Sequence, residues 1–233
     1  MSLENLEKIA HVVSPSDKLA FSSKRISVNF VPRGECTNKC VFCAPNIPAM
    51  RKVVFGEVLL DKEYSLNQMV RAVVYAYKQN PDCSEITITG TIGEPLLYFD
   101  KLLKFIPAVK RKTSLTVRLN TNGQASLILP EYSPQEVCQL LEKAELDSVV
   151  ISLNAINERD YNQLCRPRQQ HAFESVLDFV RASNQSGIET YVSFVDYSKT
   201  HADLPHLDKK LIKDFCRKLG LKGSQIIYRP MIE

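Results

Sequence analysis

The sequence predicts an α/β fold: a partial (β/α)6 barrel of parallel strands with outer helices, plus a short N-terminal helical extension. Three observations predict it. Strand-like runs recur near residues 26–31, 85–89, 115–119, 148–153, 189–195 and 225–228, with helical patterns between them. A strand that precedes a helix calls for parallel pairing through right-handed crossovers. Six such units, where a closed barrel has eight, leave the barrel open.

The elements follow in order. In residues 1–24, Leu3, Leu6, Ile9, Ala10 and Val13 have helical spacing, and Ser14, Pro15 and Ser16 break it. This segment reads as an amphipathic helix and linker ahead of the main domain, 25–233, where it covers a barrel end or serves a partner. Apolar stripes mark later helices: Met69, Val70, Val73, Val74 and Tyr77, then Phe173, Val176, Leu177 and Val180, then Leu207, Leu211, Ile212, Phe215 and Leu219. Ser65 with Gln68 and Ser133 with Glu136 have the form of capping boxes, with Pro134 at the first helical position. Gly187 and Gly220 stand where C-caps are wanted. Ile86 and Ile88, and Val149 to Ile151, read as strands apolar on both faces.

Composition narrows the function classes. Apolar residues are 44%, charged residues 24% and the net charge only +4, an ordinary globular balance that demands neither nucleic acid nor membrane. No apolar run nears the ~18 residues of a membrane span, and the N-terminus does not read as a secretory signal. The expected location is the cytoplasm, where the seven cysteines stay reduced and a close group of them points to metal.

In such sheets the chemistry gathers in loops at the carboxyl ends of the strands. The first of these holds Cys36, Cys40 and Cys43. A four-iron cluster normally takes four thiolates, so three leave one iron open for a substrate or cosubstrate. Structural zinc would ask for a second ligand pair, yet Cys83, Cys138, Cys165 and Cys216 are scattered. Cys138 and Cys216 read as core, and Cys165, beside Arg166, as either packed or reactive.

Cys-x-x-x-Cys-x-x-Cys with Phe42 before the last cysteine resembles the signature of the radical S-adenosylmethionine (SAM) enzymes. The resemblance implies a TIM-like barrel carrying a [4Fe-4S] cluster on Cys36, Cys40 and Cys43, whose open iron chelates SAM. It implies reductive cleavage of SAM to a 5′-deoxyadenosyl radical that takes hydrogen from a substrate the motifs do not identify. Phe42 would lie beside the adenine. Gly93-Glu94-Pro95 resembles the Gly-Gly-Glu-Pro segment that borders the SAM amino group, with Ile92 in place of its first glycine. Asn122-Gly123 resembles the family's Thr-Asn-Gly, Ser152 and Asn154 stand where related enzymes contact ribose and carboxylate, and Arg166 suits the SAM carboxylate. Asp196, Tyr197 and Arg229 are weaker candidates at the barrel mouth.

Several stretches look like the TatD-linked radical SAM proteins, among them Arg118–Gly123, Tyr161–Pro167 and Ala172–Val180. That implies an association with a TatD-type hydrolase and a flavodoxin- or ferredoxin-like electron donor. Glycyl-radical-enzyme activation and nucleotide or RNA modification are alternatives within the chemistry. A non-catalytic iron–sulfur electron carrier or a zinc-binding protein are alternatives outside it.

Overall fold

The computed structural model describes residues 2–15, 23–47, 50, 59–89, 92–196 and 208–230. One seven-stranded sheet runs in chain order: β1 (Ala10–Val13), β2 (Arg25–Asn29), β3 (Glu85–Thr89), β4 (Thr116–Thr121), β5 (Ser148–Ser152), β6 (Glu189–Asp196) and β7 (Ile226–Pro230). From β2 to β7 every neighbouring pair is parallel. An order that never reverses winds in one direction, so the helices fall on one face and the sheet curls toward a barrel.

The described helices are α1 (Leu3–Ile9), α2 (Leu66–Gln79), α3 (Phe99–Thr113), α4 (Ala125–Ile128), α5 (Pro134–Lys143), α6 (Glu158–Cys165), α7 (Ala172–Asn184) and α8 (Lys209–Lys218). Local chemistry sets their starts. Both expected capping boxes form: Ser65 N donates to Gln68 Oε1 at 2.9 Å, and Ser133 N to Glu136 Oε2 at 2.8 Å. Gly220 follows α8 with a φ of 84°, as a C-terminal glycine should. Gly187 does not cap α7, which ends at Asn184. The nearest atoms to a Cβ there are the carboxylate of Glu142, an exposed side chain free to move aside, so packing does not demand that glycine.

Two further expectations change. The N-terminal helix stops at Ile9, and Ala10–Val13 instead pairs antiparallel with β2, Ala10 opposite Val28. The N-terminal segment is therefore built into the sheet. The strands are also not apolar on both faces. Ile26, Val28, Ile86, Ile88, Val117, Leu119, Val149 and Ile151 share the face that joins the buried apolar core. Alternate positions carry Ser27, Asn29, Thr87, Arg118, Ser148, Ser152 and Ser193, so the inner face is polar. Val150 and Val195 are apolar exceptions among these strands.

At the amino ends of the strands that inner face is closed by charge. Glu85 bridges Arg25 at 3.3 Å and Arg118 at 2.6 Å, and accepts a third bond from Thr87 at 2.9 Å. Burial lowers the Arg25 pKa to about 10 despite Glu85.

Candidate functional site

The loop that leaves β2 at the opposite end brings Cys36, Cys40 and Cys43 together as half-buried free thiols. Its shape is set by a distant element. Lys39 N donates to Cys165 O at 3.1 Å, Val41 N to Leu164 O at 2.9 Å, and Arg168 N to Thr37 O at 2.9 Å. Asn38 forms an antiparallel bridge with Pro167. The C-terminal end of α6 is thus stapled along the cysteine loop. Beneath the staple, Gln124 Nε2 donates to Asn38 Oδ1 at 2.7 Å and to the Tyr161 hydroxyl at 3.0 Å. Asn38 Nδ2 reaches the same hydroxyl at 3.3 Å. Gln124, Asn38 and Tyr161 are buried, so this network fixes the loop where water cannot compete.

The three sulfurs have different surroundings. Cys36 Sγ accepts from Asn38 N at 3.4 Å and Asn122 Nδ2 at 3.8 Å. Burial, with the Glu94 charge behind it, nevertheless pushes the Cys36 thiol up to about 12. Cys40 is raised by its hydrogen bond with Cys165 and by burial, against the pull of Arg229. Cys43 is pushed up to about 11, chiefly by burial. All three are therefore protonated thiols at neutral pH without metal, and a bound cation would displace the protons.

The Gly93-Glu94-Pro95 segment lies directly under this loop. Glu94 N donates to Glu35 O at 2.8 Å, and a Cβ on Gly93 (φ 105°) would sit 2.6 Å from Val31 and 2.9 Å from Glu35 O. Only glycine allows that approach. Ile92, where the family pattern has glycine, packs toward Gly34, whose Cβ would meet Ile92 Cγ2 at 2.4 Å. A glycine across the contact compensates for the one missing in the motif.

Glu94 is 1% exposed. Its carboxylate accepts from Thr121 Oγ1 at 2.6 Å, Leu96 N at 3.0 Å and Asn122 N at 2.7 Å. A carboxylate offers about four acceptor sites, so about one is left for a ligand. Burial raises the Glu94 pKa to about 6, with these bonds working against the rise. Pro95, buried, opens a 3-10 turn, Pro95–Tyr98.

The other expected site residues divide into two groups. Asn122 is at the triad, its Nδ2 2.8 Å from Thr37 Oγ1 and its Oδ1 accepting from Gln124 N. Asn154, held at a φ of 58°, donates from Nδ2 to Ser152 O at 3.1 Å and to Cys165 Sγ at 3.8 Å. Ser152 Oγ accepts from Arg229 Nη2 at 3.5 Å, and Phe42 is half-buried against the core. Arg166 stands apart. Its left-handed backbone ends α6 and its carbonyl accepts from Lys39, while its side chain is exposed. Arg229, weaker in the sequence, is the guanidinium whose charge reaches Cys40, and burial pulls its pKa down. Asp196 ends β6, and Tyr197 lies outside the described residues.

Gln124, Asn38, Ser193 and the contact of Cys165 with Cys40 were not found from sequence. The Tyr161–Pro167 stretch was the available signal, but its pairing with the cysteine loop is long-range.

Two observations bear on what the site holds. Among the described residues no three His, Cys, Asp or Glu side chains close on a point suited to one metal ion. Three thiols on one loop within electrostatic range of one another suit a multi-iron cluster, where each sulfur binds a different iron. Nearby, Asn154 Oδ1, Ser193 Oγ, Asn120 Oδ1 and Arg229 Nε are buried without hydrogen-bond partners among the described residues. Buried polar groups are normally paired, so these atoms fit a polar ligand on the inner face.

Comparison with known proteins agrees. The model of the Radical SAM superfamily matches residues 31–211. A protein of Methanococcus maripaludis (strain C7) named as a probable GTP 3′,8-cyclase is 31% identical over 150 residues, covering 64% of this chain and 44% of that one. A Methanocaldococcus jannaschii protein named as a glycyl-radical enzyme activating enzyme is 26% identical over 169 residues, covering 70% of this chain and 40% of its own length. This chain therefore spans under half the length of the curated relatives it matches. In fold, it resembles the FeFe-hydrogenase maturase HydG of Carboxydothermus hydrogenoformans, with a TM-score of 0.60 and 15% identity over 86% of this chain and 43% of that one.

Proposed function

This chain belongs to the radical SAM superfamily, and we propose from that premise that it cleaves SAM reductively at a [4Fe-4S] cluster held by Cys36, Cys40 and Cys43. The observation that carries the reading is the cysteine loop itself. It is stapled to α6 and lies above Gly93-Glu94, with unpartnered polar atoms on the inner face nearby. When bound, the cluster and SAM supply a one-electron cleavage to methionine and a 5′-deoxyadenosyl radical, which removes hydrogen from substrate.

The chain's own residues hold and shield that chemistry. The three thiols give up their protons to bind iron. Gly93 brings the backbone close to the SAM amino group, and Glu94 fixes the strand ends at Thr121 and Asn122. Pro95 starts the turn that buries Leu96. Phe42 takes the adenine, and Ser152, Asn154 and Asn122 take polar groups of SAM. Arg166 and Arg229 are the cations available to its carboxylate, Arg166 from outside and Arg229 from within the barrel.

The resemblance to TatD-linked proteins supports, within this proposal, association with a TatD-type hydrolase, and seven free cysteines suit a cytoplasmic location. Members of the superfamily generally need an electron donor, and a flavodoxin- or ferredoxin-like protein suits the task. Among the described residues no helix is long and apolar enough to cross a membrane. The names of two relatives support two substrate readings, a guanine nucleotide and a glycyl-radical partner enzyme. Incubation with each separates them.

The decisive experiment reconstitutes the chain anaerobically with iron and sulfide, then adds dithionite and SAM. 5′-Deoxyadenosine is expected, and Cys40→Ala is expected to lose both iron and product. An intact cluster that never yields 5′-deoxyadenosine overturns the catalytic reading in favour of an electron carrier. Wild-type iron in Cys40→Ala overturns the ligand assignment.

A further inference from the structure

The sequence shows no fourth cysteine close to the triad, yet the fold supplies one. Cys165, the last residue of α6, is 0% exposed, and the antiparallel pairing of Asn38 with Pro167 sets it opposite Cys40. The contact is built in from several directions. Backbone bonds from Lys39 and Val41 to Cys165 and Leu164 hold the two segments side by side. Asn154, pinned by its left-handed backbone and by its bond to Ser152 O, points its Nδ2 at Cys165 Sγ from 3.8 Å. A sulfur that accepts from Asn154 has its own S–H free to point elsewhere, and Cys40 is the neighbour.

A thiol in that position has two possible relations to a cluster. As a fourth ligand it would have to reach the iron that Cys36, Cys40 and Cys43 leave open. It instead stands opposite one ligand, fixed at the end of a helix whose backbone is tied to the loop on either side of that ligand. We infer that, with the cluster bound as proposed above, the Cys165 S–H donates to the Cys40 thiolate and raises the cluster's reduction potential.

The direction follows from charge. Reduction adds an electron to a cluster already negative through its thiolates. A donor proton against one of those sulfurs stabilises the reduced form more than the oxidised one. Outer-sphere hydrogen bonds tune metal centres in this way. Asn154 acts one step further out, by orienting the thiol. Both are positioning residues, since neither touches iron.

The test is a redox titration of the reconstituted cluster without SAM, followed by electron paramagnetic resonance, so the result stands apart from whether SAM is cleaved. Cys165→Ala is expected to keep wild-type iron and a four-iron signal while its midpoint potential becomes more negative. Loss of about tenfold in the ratio of reduced to oxidised cluster at fixed potential corresponds to about 59 mV for one electron. Cys165→Ser, which keeps a donor on the same carbon and covers the case that alanine fails to fold, should recover most of the shift. Asn154→Ala should move the potential the same way by less. A potential unchanged in Cys165→Ala overturns the inference. Iron loss or a three-iron signal in both Cys165 variants overturns it too, because that marks Cys165 as a ligand.

Discussion

Glu94 is where one side chain decides most about the site. A carboxylate with 1% exposure should be costly, and three donors only partly offset its desolvation, which is why its pKa rises to about 6. A folded pKa above the unfolded value means the fold favours the protonated form. Its stabilising contribution is complete below about 4.5 and is lost as pH rises through about 6. A shift of this size is worth about 2 kcal/mol. Glu94→Gln does not titrate, so wild type should lose about that much stability relative to the variant between pH 4.5 and 7. Urea unfolding of the cluster-free proteins across that range measures it, and parallel pH profiles would refute the assignment. The Gly-Glu-Pro motif was readable in the sequence, but its expected role was contact with an ammonium group. Most of the Glu94 acceptor capacity is instead spent inside the chain, a commitment visible only once β4 is placed beside β3.

At the scale of elements, local signals were legible and long-range ones were not. Both capping boxes formed because four consecutive residues contain all of their chemistry. Ala10–Val13 has apolar spacing that fits a helix, and its antiparallel partner in β2 makes it a strand. Helix α6 is the larger omission. Tyr161–Pro167 stood out as a motif, and its function as the brace of the cysteine loop depends on bonds to Thr37, Lys39 and Val41. The Tyr161 hydroxyl, taking bonds from Gln124 and Asn38, is the buried centre of that brace. Tyr161→Phe leaves Asn38 Nδ2 without this acceptor and Gln124 Nε2 with one fewer. A buried donor left unpaired typically costs about 1–3 kcal/mol. The urea midpoint should fall accordingly, and the reconstituted variant should lose iron to a chelator several-fold faster than wild type. Iron loss at the wild-type rate would show that the loop holds its shape without α6.

The whole molecule is divided by function along its strands. At the carboxyl ends the inner face carries Asn154, Ser193, Arg229 and the cysteine loop; at the amino ends it is closed by the ion pairs of Arg25, Glu85 and Arg118. The alternation producing this polar interior was in the sequence, with Ser27, Asn29, Thr87, Ser148 and Ser193 at every second position, but the expected two-faced burial obscured it. A curled, singly wound sheet needs only its outer face covered by helices, so its interior is free to be polar. The charged layer then bears on stability and not on chemistry. A buried pair broken by removing one partner costs about 3–5 kcal/mol, because the remaining charges lose their compensation. Glu85→Ala leaves Arg25 and Arg118 facing each other, with Tyr191 against Arg118 at 5.8 Å. Its unfolding midpoint should fall by an amount in that range, the largest among the variants outside the site. Arg25→Met with Glu85→Leu and Arg118→Met should recover much of the loss, since apolar replacement of a buried ionic group is often neutral. Because the layer lies at the far end of the strands from the cysteines, the folded fraction of Glu85→Ala should bind iron and form 5′-deoxyadenosine at the wild-type rate per cluster. A variant that folds yet cannot hold the cluster would show that the two ends of the barrel are coupled.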